Sequence, residues 1–385
     1  MDPKHKGLLL AIYCMFAVNG AGSALLGVIL PHMKSEYGLS YAVSGAAISA
    51  HQVGNFTALV LMSFLPYLWG RRKTVCLLWA GIAVGFLGFT LTGNPALVLF
   101  TFFITGIGRG TASTISSVVI SEVSSAKAAA QNILHAAFAI GALLSPLLAM
   151  ACLNGNLGWR PPAWTVALLG AAGLAALWRA GLESRPEPKA GGSSRDFLRS
   201  GAYWLNIGIL FFYLCGESSL MGWLVTYFTD TGVMSGTLAQ FTSTLLWVMV
   251  LLGRIFCALY ADRIGRSRLL LVMALGMTAG FVVMISTRSV GVVLAGLAGM
   301  GLCMSGVFPT TMATMEPRFA NSPAATGFAI AAATMGAVIM PLVVGQVAQL
   351  SGIVGGISAI AVTQAILVVL VVLKLARGRK EEAAG

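Results

Sequence analysis

Charge is scarce in this sequence. Only 9% of its 385 residues are Asp, Glu, Lys or Arg, against about a quarter in soluble domains. Apolar residues make up 57%, and the mean hydropathy is +0.87. So few ions cannot cover a water-facing surface, and the bilayer is the expected solvent. Acid is scarcer than base: 12 Asp and Glu stand against 24 Lys and Arg, a formal charge of +12. Nucleic acid would require that base clustered on a solvated face. Here it lies mostly in short hinges between apolar runs, so no nucleic-acid partner is expected. The six cysteines all fall in apolar stretches and form no CxxC pair, which leaves neither a disulfide framework nor a metal site. Neither a GxxxxGK-S/T phosphate loop nor a catalytic triad is present, which argues against a primary pump and an enzyme and implies no cofactor. A cleaved leader is not expected, because the first apolar run is too long and many similar runs follow.

Those runs are what the sequence does have. A spanning helix needs roughly 20 mostly apolar residues. Such windows lie near 7–31, 42–66, 74–92, 95–120, 128–152 and 161–180, then near 201–228, 236–261, 268–286, 289–314, 323–349 and 353–375. Between the two sets, residues 183–199 are charged and rich in Pro, Gly and Ser, which reads as a solvated linker. The expected fold is all-α and integral to the membrane, with twelve transmembrane helices in two pseudo-symmetric six-helix bundles, residues 1–182 and 200–385. All but four of the 24 Lys and Arg fall on one side, Arg254 being grouped with the loop after the eighth span. Lys34, Arg160 and Arg288 fall on the other, and Arg109 lies inside a span. Basic residues favour the cytoplasmic side of short loops, so both termini and the linker are expected there, in a bacterial inner membrane.

The halves echo each other at an offset of about 195 residues, as a duplicated bundle does. Gly70, Arg71 and Arg72 correspond to Gly265, Arg266 and Ser267, Gly106 corresponds to Gly301, and Glu122 to Glu316. The loop Asp262-Arg263-Ile264-Gly265-Arg266 matches a D-R-x-G-R signature, and the chain resembles the major facilitator superfamily over nearly its whole length. The first copy of that loop has Tyr67 in place of the Asp. Within the superfamily the chain is most similar to the fucose–proton symporter group of sugar permeases. The segments that carry this likeness are Gly216-Glu217 with 222–227 (GWLVTY), 132–135 (NILH) with 141–146 (GALLSP), and 307–310 (VFPT). That group has acidic residues in its first and fourth helices, where this chain has Asn19 and Arg109 with Thr111, so proton coupling through the first half is not carried over.

An ionisable side chain at membrane depth costs several kcal/mol and is by default a functional candidate. Arg109 in the fourth span and Glu217 in the seventh are two such residues. The resemblance implies that the first, fourth, seventh and tenth helices line a cavity, with these charges on opposite walls. They either bind solute or neutralise each other as an ion pair. Thr105, Arg109, Ser113 and Ser116 share one face of the fourth span, as do Asn19 and Ser23 on the first, and Tyr213 stands one turn before Glu217. His135 is a further cavity residue and, with Glu217, a candidate for proton coupling. His51 reads as packing or gating. Trp223 would stack on a sugar ring or sit in an interfacial aromatic belt. Arg71, Arg72, Glu122, Asp262, Arg266 and Glu316 are expected to gate the cytoplasmic end. The resulting expectation is a monomeric secondary carrier of a small, polar, sugar-like solute, working by alternating access with or without protons. Its rivals are an organic-anion carrier using Arg109, an efflux antiporter for amphiphiles, and a sensor that transports nothing.

Overall fold

Inside a bilayer no water satisfies backbone N–H and C=O groups, so each apolar run must close its hydrogen bonds internally as a helix. The computed structural model describes residues 6–124, 127–180, 182, 196–234, 236–316, 319 and 322–384. Its long helices are α1 (Lys6–Tyr37), α2 (Tyr41–Trp69), α3 (Arg71–Leu91), α4 (Pro95–Val123), α5 (Lys127–Asn154), α6 (Arg160–Ala180), α7 (Gly201–Thr231), α8 (Gly236–Ile264), α9 (Arg266–Ser286) and α10 (Val290–Ala313). A last helical stretch, Pro323–Ala384, is bent at Gly352 (φ 80°, ψ 167°), which divides it into α11 (residues 323–351) and α12 (residues 353–384). Twelve helices thus stand where twelve spans were expected. The linker expected over 183–199 lies outside the described residues up to residue 195. The side chains of Asn132 and Asp262 lie outside them too.

Local chemistry sets the helix starts. Ser40 accepts a hydrogen bond from the Val43 amide, Asn94 from the Ala96 and Leu97 amides, and Ser200 from the Tyr203 amide. Pro95 occupies the first turn of α4, where its missing N–H costs nothing. Two connections are a single residue long. Gly70 (φ 80°, ψ 146°) turns α2 into α3, and Gly265 (φ 85°, ψ 123°) turns α8 into α9. Only glycine enters that backbone region without strain.

The chain divides into two compact units, Met1–Pro188 with Ser235–Thr244 and Lys189–Met234 with Leu245–Gly385. In unit 1, α1 packs on α5, α2 on α4, and α3 on α4 and α6. In unit 2, α7 packs on the α11–α12 stretch, and α9 on α10. Small residues carry these contacts, as in membrane bundles generally. A Cβ added to Gly141 of α5 would stand 1.8 Å from the Ala17 carbonyl oxygen of α1, and one added to Gly336 of α11 would stand 2.3 Å from the Phe211 carbonyl oxygen of α7. Gly85 meets Thr101 and Thr105, while Gly280 meets Gly296 and Met300. Each pair follows the offset of the sequence repeat, so what the halves share is their packing. At one end of unit 1, Arg160 donates to Glu36 (2.5 and 3.1 Å) and the Trp159 indole donates to Glu36 as well (2.7 Å).

Candidate substrate site

Arg109 lies at the midpoint of α4, and Glu217 lies one residue past the midpoint of α7. Around Arg109 the backbones of α2 and α4 run unusually close. A Cβ on Gly106 would stand 1.9 Å from the His51 carbonyl oxygen, and one on Gly110 2.5 Å from that of Asn55. This approach brings the buried His51 ring against α4, where its Nδ1 lies 2.9 Å from Thr105 Oγ1. Thr105 Oγ1 also lies 2.6 Å from the Phe102 carbonyl oxygen. The His51 ring and the Thr105 hydroxyl share one hydrogen bond whose direction follows the imidazole tautomer. Nε2 is buried with no hydrogen-bond partner among the described residues, and Arg109 is near enough to act on the ring through space.

The α1 polar residues join the same helix. Asn19 is buried and donates from Nδ2 to Ser113 Oγ (3.3 Å), while its Oδ1 has no partner among the described residues. The Ser116 hydroxyl, one turn further along α4, is also buried and unmatched. Ser23 donates to the Asn19 carbonyl one turn back (2.7 Å), so it serves its own helix. An unpaired buried donor or acceptor costs about 1–3 kcal/mol. Three near the middle of one bundle mark a polar layer that the protein leaves incomplete.

In unit 2 the Tyr213 hydroxyl donates to Glu217 Oε1 (2.9 Å), joining the two residues expected to work together on α7. Trp223 is fully buried, and its indole donates to the Pro341 carbonyl of α11 (3.3 Å). In this structure its ring is enclosed by protein. His135 is exposed on α5 and meets Phe16 edge to face at 5.9 Å. The Arg254 grouping with the basic loop is corrected here. This residue lies nearly three turns inside α8, is exposed, and its charge reaches Tyr213. The signal was available in the sequence, because 23 uncharged residues precede Arg254 and seven follow it.

Among the residues expected to gate the cytoplasmic end, Arg71 and Glu122 form a bidentate pair (2.8 and 3.1 Å) that ties α3 to α4 within unit 1. Arg71 is buried there. Arg72 donates to the Trp178 carbonyl and places its guanidinium 4.2 Å over the Trp178 ring. Ser200 donates to Glu316 (3.5 Å), and Arg266 is exposed at the start of α9.

The internal repeat separates scaffold from chemistry. At positions related by the offset, Arg109 answers to Met304, Ser113 to Phe308, His51 to Leu246, Asn19 to Leu214, Tyr213 to Val18 and Glu217 to Gly22. Several glycines at helix contacts recur in both halves, among them Gly85 and Gly280, Gly106 and Gly301, and Gly141 and Gly336, whereas each of these polar groups occurs in one half only. Groups needed for packing would be expected twice, so these residues answer to something other than the fold.

Two copies of a six-helix unit, with polar residues near the middle of apolar helices, define a polytopic membrane transporter. The chain belongs to the Major Facilitator Superfamily, whose sequence pattern matches residues 12–239 and again 207–385. It is 25% identical over 350 residues to a gallate transporter of Pseudomonas putida, covering 77% of this chain and 75% of that one. It is 19% identical over 380 residues to a TsgA homolog of Erwinia tasmaniensis, covering 97% and 95%. Among solved structures, a D-xylose–proton symporter superposes with a TM-score of 0.75 at 17% identity, covering 96% of both chains. The nucleoside transporter NupG gives 0.72 at 16% identity, covering 97% of this chain and 99% of that one. At these identities the structural matches speak for the fold alone.

Proposed function

We propose that this protein is a secondary carrier that moves a small hydroxylated organic anion by alternating access, with Arg109 as the anchor for its carboxylate. The observation that carries this reading is an arginine at the midpoint of α4 within an incompletely satisfied polar layer. A planar guanidinium binds a carboxylate through two parallel N–H···O bonds, which a neutral sugar cannot reproduce. Asn19 Oδ1 supplies an acceptor, and His51 Nε2 a further ring nitrogen without a partner among the described residues, of the kind that solute hydroxyls can match. Arg254 adds a second cation within a span, beside Tyr213. The likeness to a gallate transporter supports this choice over the sugar-like solute that the symporter resemblance implies, because gallate is a carboxylate bearing hydroxyls. Glu217 is the proton-coupling site in this reading, since it accepts from Tyr213 and its half of the chain alone carries an acid at that position.

Counterflow in proteoliposomes tests the proposal. Hydroxybenzoates are expected to exchange, while xylose, fucose, nucleosides and amphiphilic cations are not. Exchange of a neutral sugar with no exchange of any carboxylate would overturn the anion reading and restore the sugar one. The Glu217→Gln variant is expected to keep counterflow but to lose the stimulation of uptake by an imposed proton gradient. Gradient-driven uptake at the wild-type rate would remove Glu217 from coupling.

A further inference from the structure

We propose that a groove between α3 and α6 in unit 1 binds an anionic phospholipid. The cavity measures about 590 Å³. Lys73, Arg179 and Trp178 stand at one end, and Ala80, Ala171 and Ala175 form a floor of small residues. Lys73 lies in the first turn of α3 and Arg179 in the last turn of α6, so both cations sit where these helices reach the headgroups. Both are exposed.

Three features make this end a receptor for a phosphate diester. Arg72 is spent on Trp178, through its carbonyl and its ring, which fixes the indole as a wall and leaves Lys73 and Arg179 as the exposed cations lining the groove. Glu122, on the neighbouring α4, is held by Arg71 in a bidentate pair that offsets its charge. Gly70 caps α3 without any side-chain hydrogen bond, so the positive end of the α3 dipole points out at the same level. Basic pockets between membrane helices, near the surface, bind acidic headgroups.

The duplicated half carries larger side chains at the equivalent positions. The positions answering to Ala80, Ala171, Ala175 and Trp178 are Leu275, Ile366, Leu370 and Leu373, whose larger side chains would fill the floor. Arg179 answers to Lys374, whose Nζ turns inward to Asn206 Oδ1 (2.5 Å) and Thr314 Oγ1 (2.6 Å). The same scaffold can therefore satisfy its cation internally, yet in unit 1 Arg179 stays exposed. An acyl chain over the alanines with its phosphate between Lys73 and Arg179 uses both the floor and the exposed cations, whereas a soluble anion leaves the floor empty. A zwitterionic headgroup would bring its own cation against the lysine and arginine.

Native mass spectrometry of the full-length protein tests this, with phosphatidylglycerol and phosphatidylcholine of identical acyl chains supplied in equal amounts. The wild type is expected to retain phosphatidylglycerol at least fivefold over phosphatidylcholine. The double variant Lys73→Gln/Arg179→Gln should lose that preference while eluting as a monodisperse species. Ala175→Leu should lower retention of both lipids by filling the floor. Equal retention of the two lipids by the wild type, or an unchanged preference in the double variant, would overturn the proposal. Thermal stabilisation by inorganic phosphate equal to that by phosphatidylglycerol would also overturn it, because the groove would then select a soluble anion.

Discussion

Arg109→Gln will lower counterflow of the transported carboxylate by about 30-fold to 4000-fold while the protein stays folded. Truncating one partner of a desolvated charge pair costs about 2–5 kcal/mol, and each 1.4 kcal/mol is tenfold. Folding should suffer far less, because removing a charge from the middle of a membrane helix also removes the cost of keeping it there. The Met304 position of α10 shows that the repeat accommodates an uncharged residue at the equivalent site. Arg109→Lys separates charge from geometry. Lysine keeps the positive charge without the planar fork, so it should recover part of the loss, to within about tenfold of the wild type on the same scale. Transport by Arg109→Gln within threefold of the wild type, in protein of unchanged thermal stability, would show that Arg109 does not anchor the solute. If the glutamine variant failed to fold while the lysine variant transported normally, Arg109 would be a structural cation.

The fold was legible because apolar length and glycine spacing are properties of the chain itself. Windows of about 20 residues located all twelve helices, but not their ends. The first window stopped at residue 31, whereas α1 continues to Tyr37 with Pro31 inside it. A hydropathy window finds the part of a helix in hydrocarbon, and the hydrogen-bonded spiral continues into the headgroups for another turn or two. Arg254 lies inside the eighth window, yet the count by side groups it with the basic residues of the loop that follows. For the site, helical spacing groups Thr105, Arg109 and Ser113 on one face of α4. Their partners on other helices were beyond it. That His51 reaches Thr105, or that Asn19 reaches Ser113, depends on how closely two helices approach and in which register. Trp223 illustrates the same limit, since only the path of α11 decides whether its indole meets the Pro341 carbonyl or a solute.

Gly141→Ala and Gly106→Ala will each destabilise the protein by several degrees, whereas Gly299→Ala will not. Alanine is a better helix former than glycine by about 1 kcal/mol, so an unobstructed glycine in a helix gains from the exchange. Gly299 is such a position, with nothing within 4 Å of an added Cβ. At Gly141 the added carbon would lie 1.8 Å from the Ala17 carbonyl oxygen, and at Gly106 1.9 Å from that of His51. A side chain could rotate away from such a clash, but a carbonyl oxygen moves only with its helix. Overpacking a core costs about 1–3 kcal/mol where side chains can give, and these two positions belong at or above the upper end. The expected readout is a fall in the midpoint of thermal unfolding for both variants, with Gly299→Ala unchanged or slightly raised. Gly106→Ala should in addition impair transport at temperatures where it remains folded. The displacement it forces separates α2 from α4, and that contact presents His51 to Thr105 beside Arg109. Gly141 lies at the α1–α5 contact instead, so its variant should lose stability with a smaller loss of transport per folded molecule. Equal midpoints for the wild type and both variants would mean that these helices hold together without backbone contact, and the polar layer around Arg109 would then have no fixed geometry to recognise a solute.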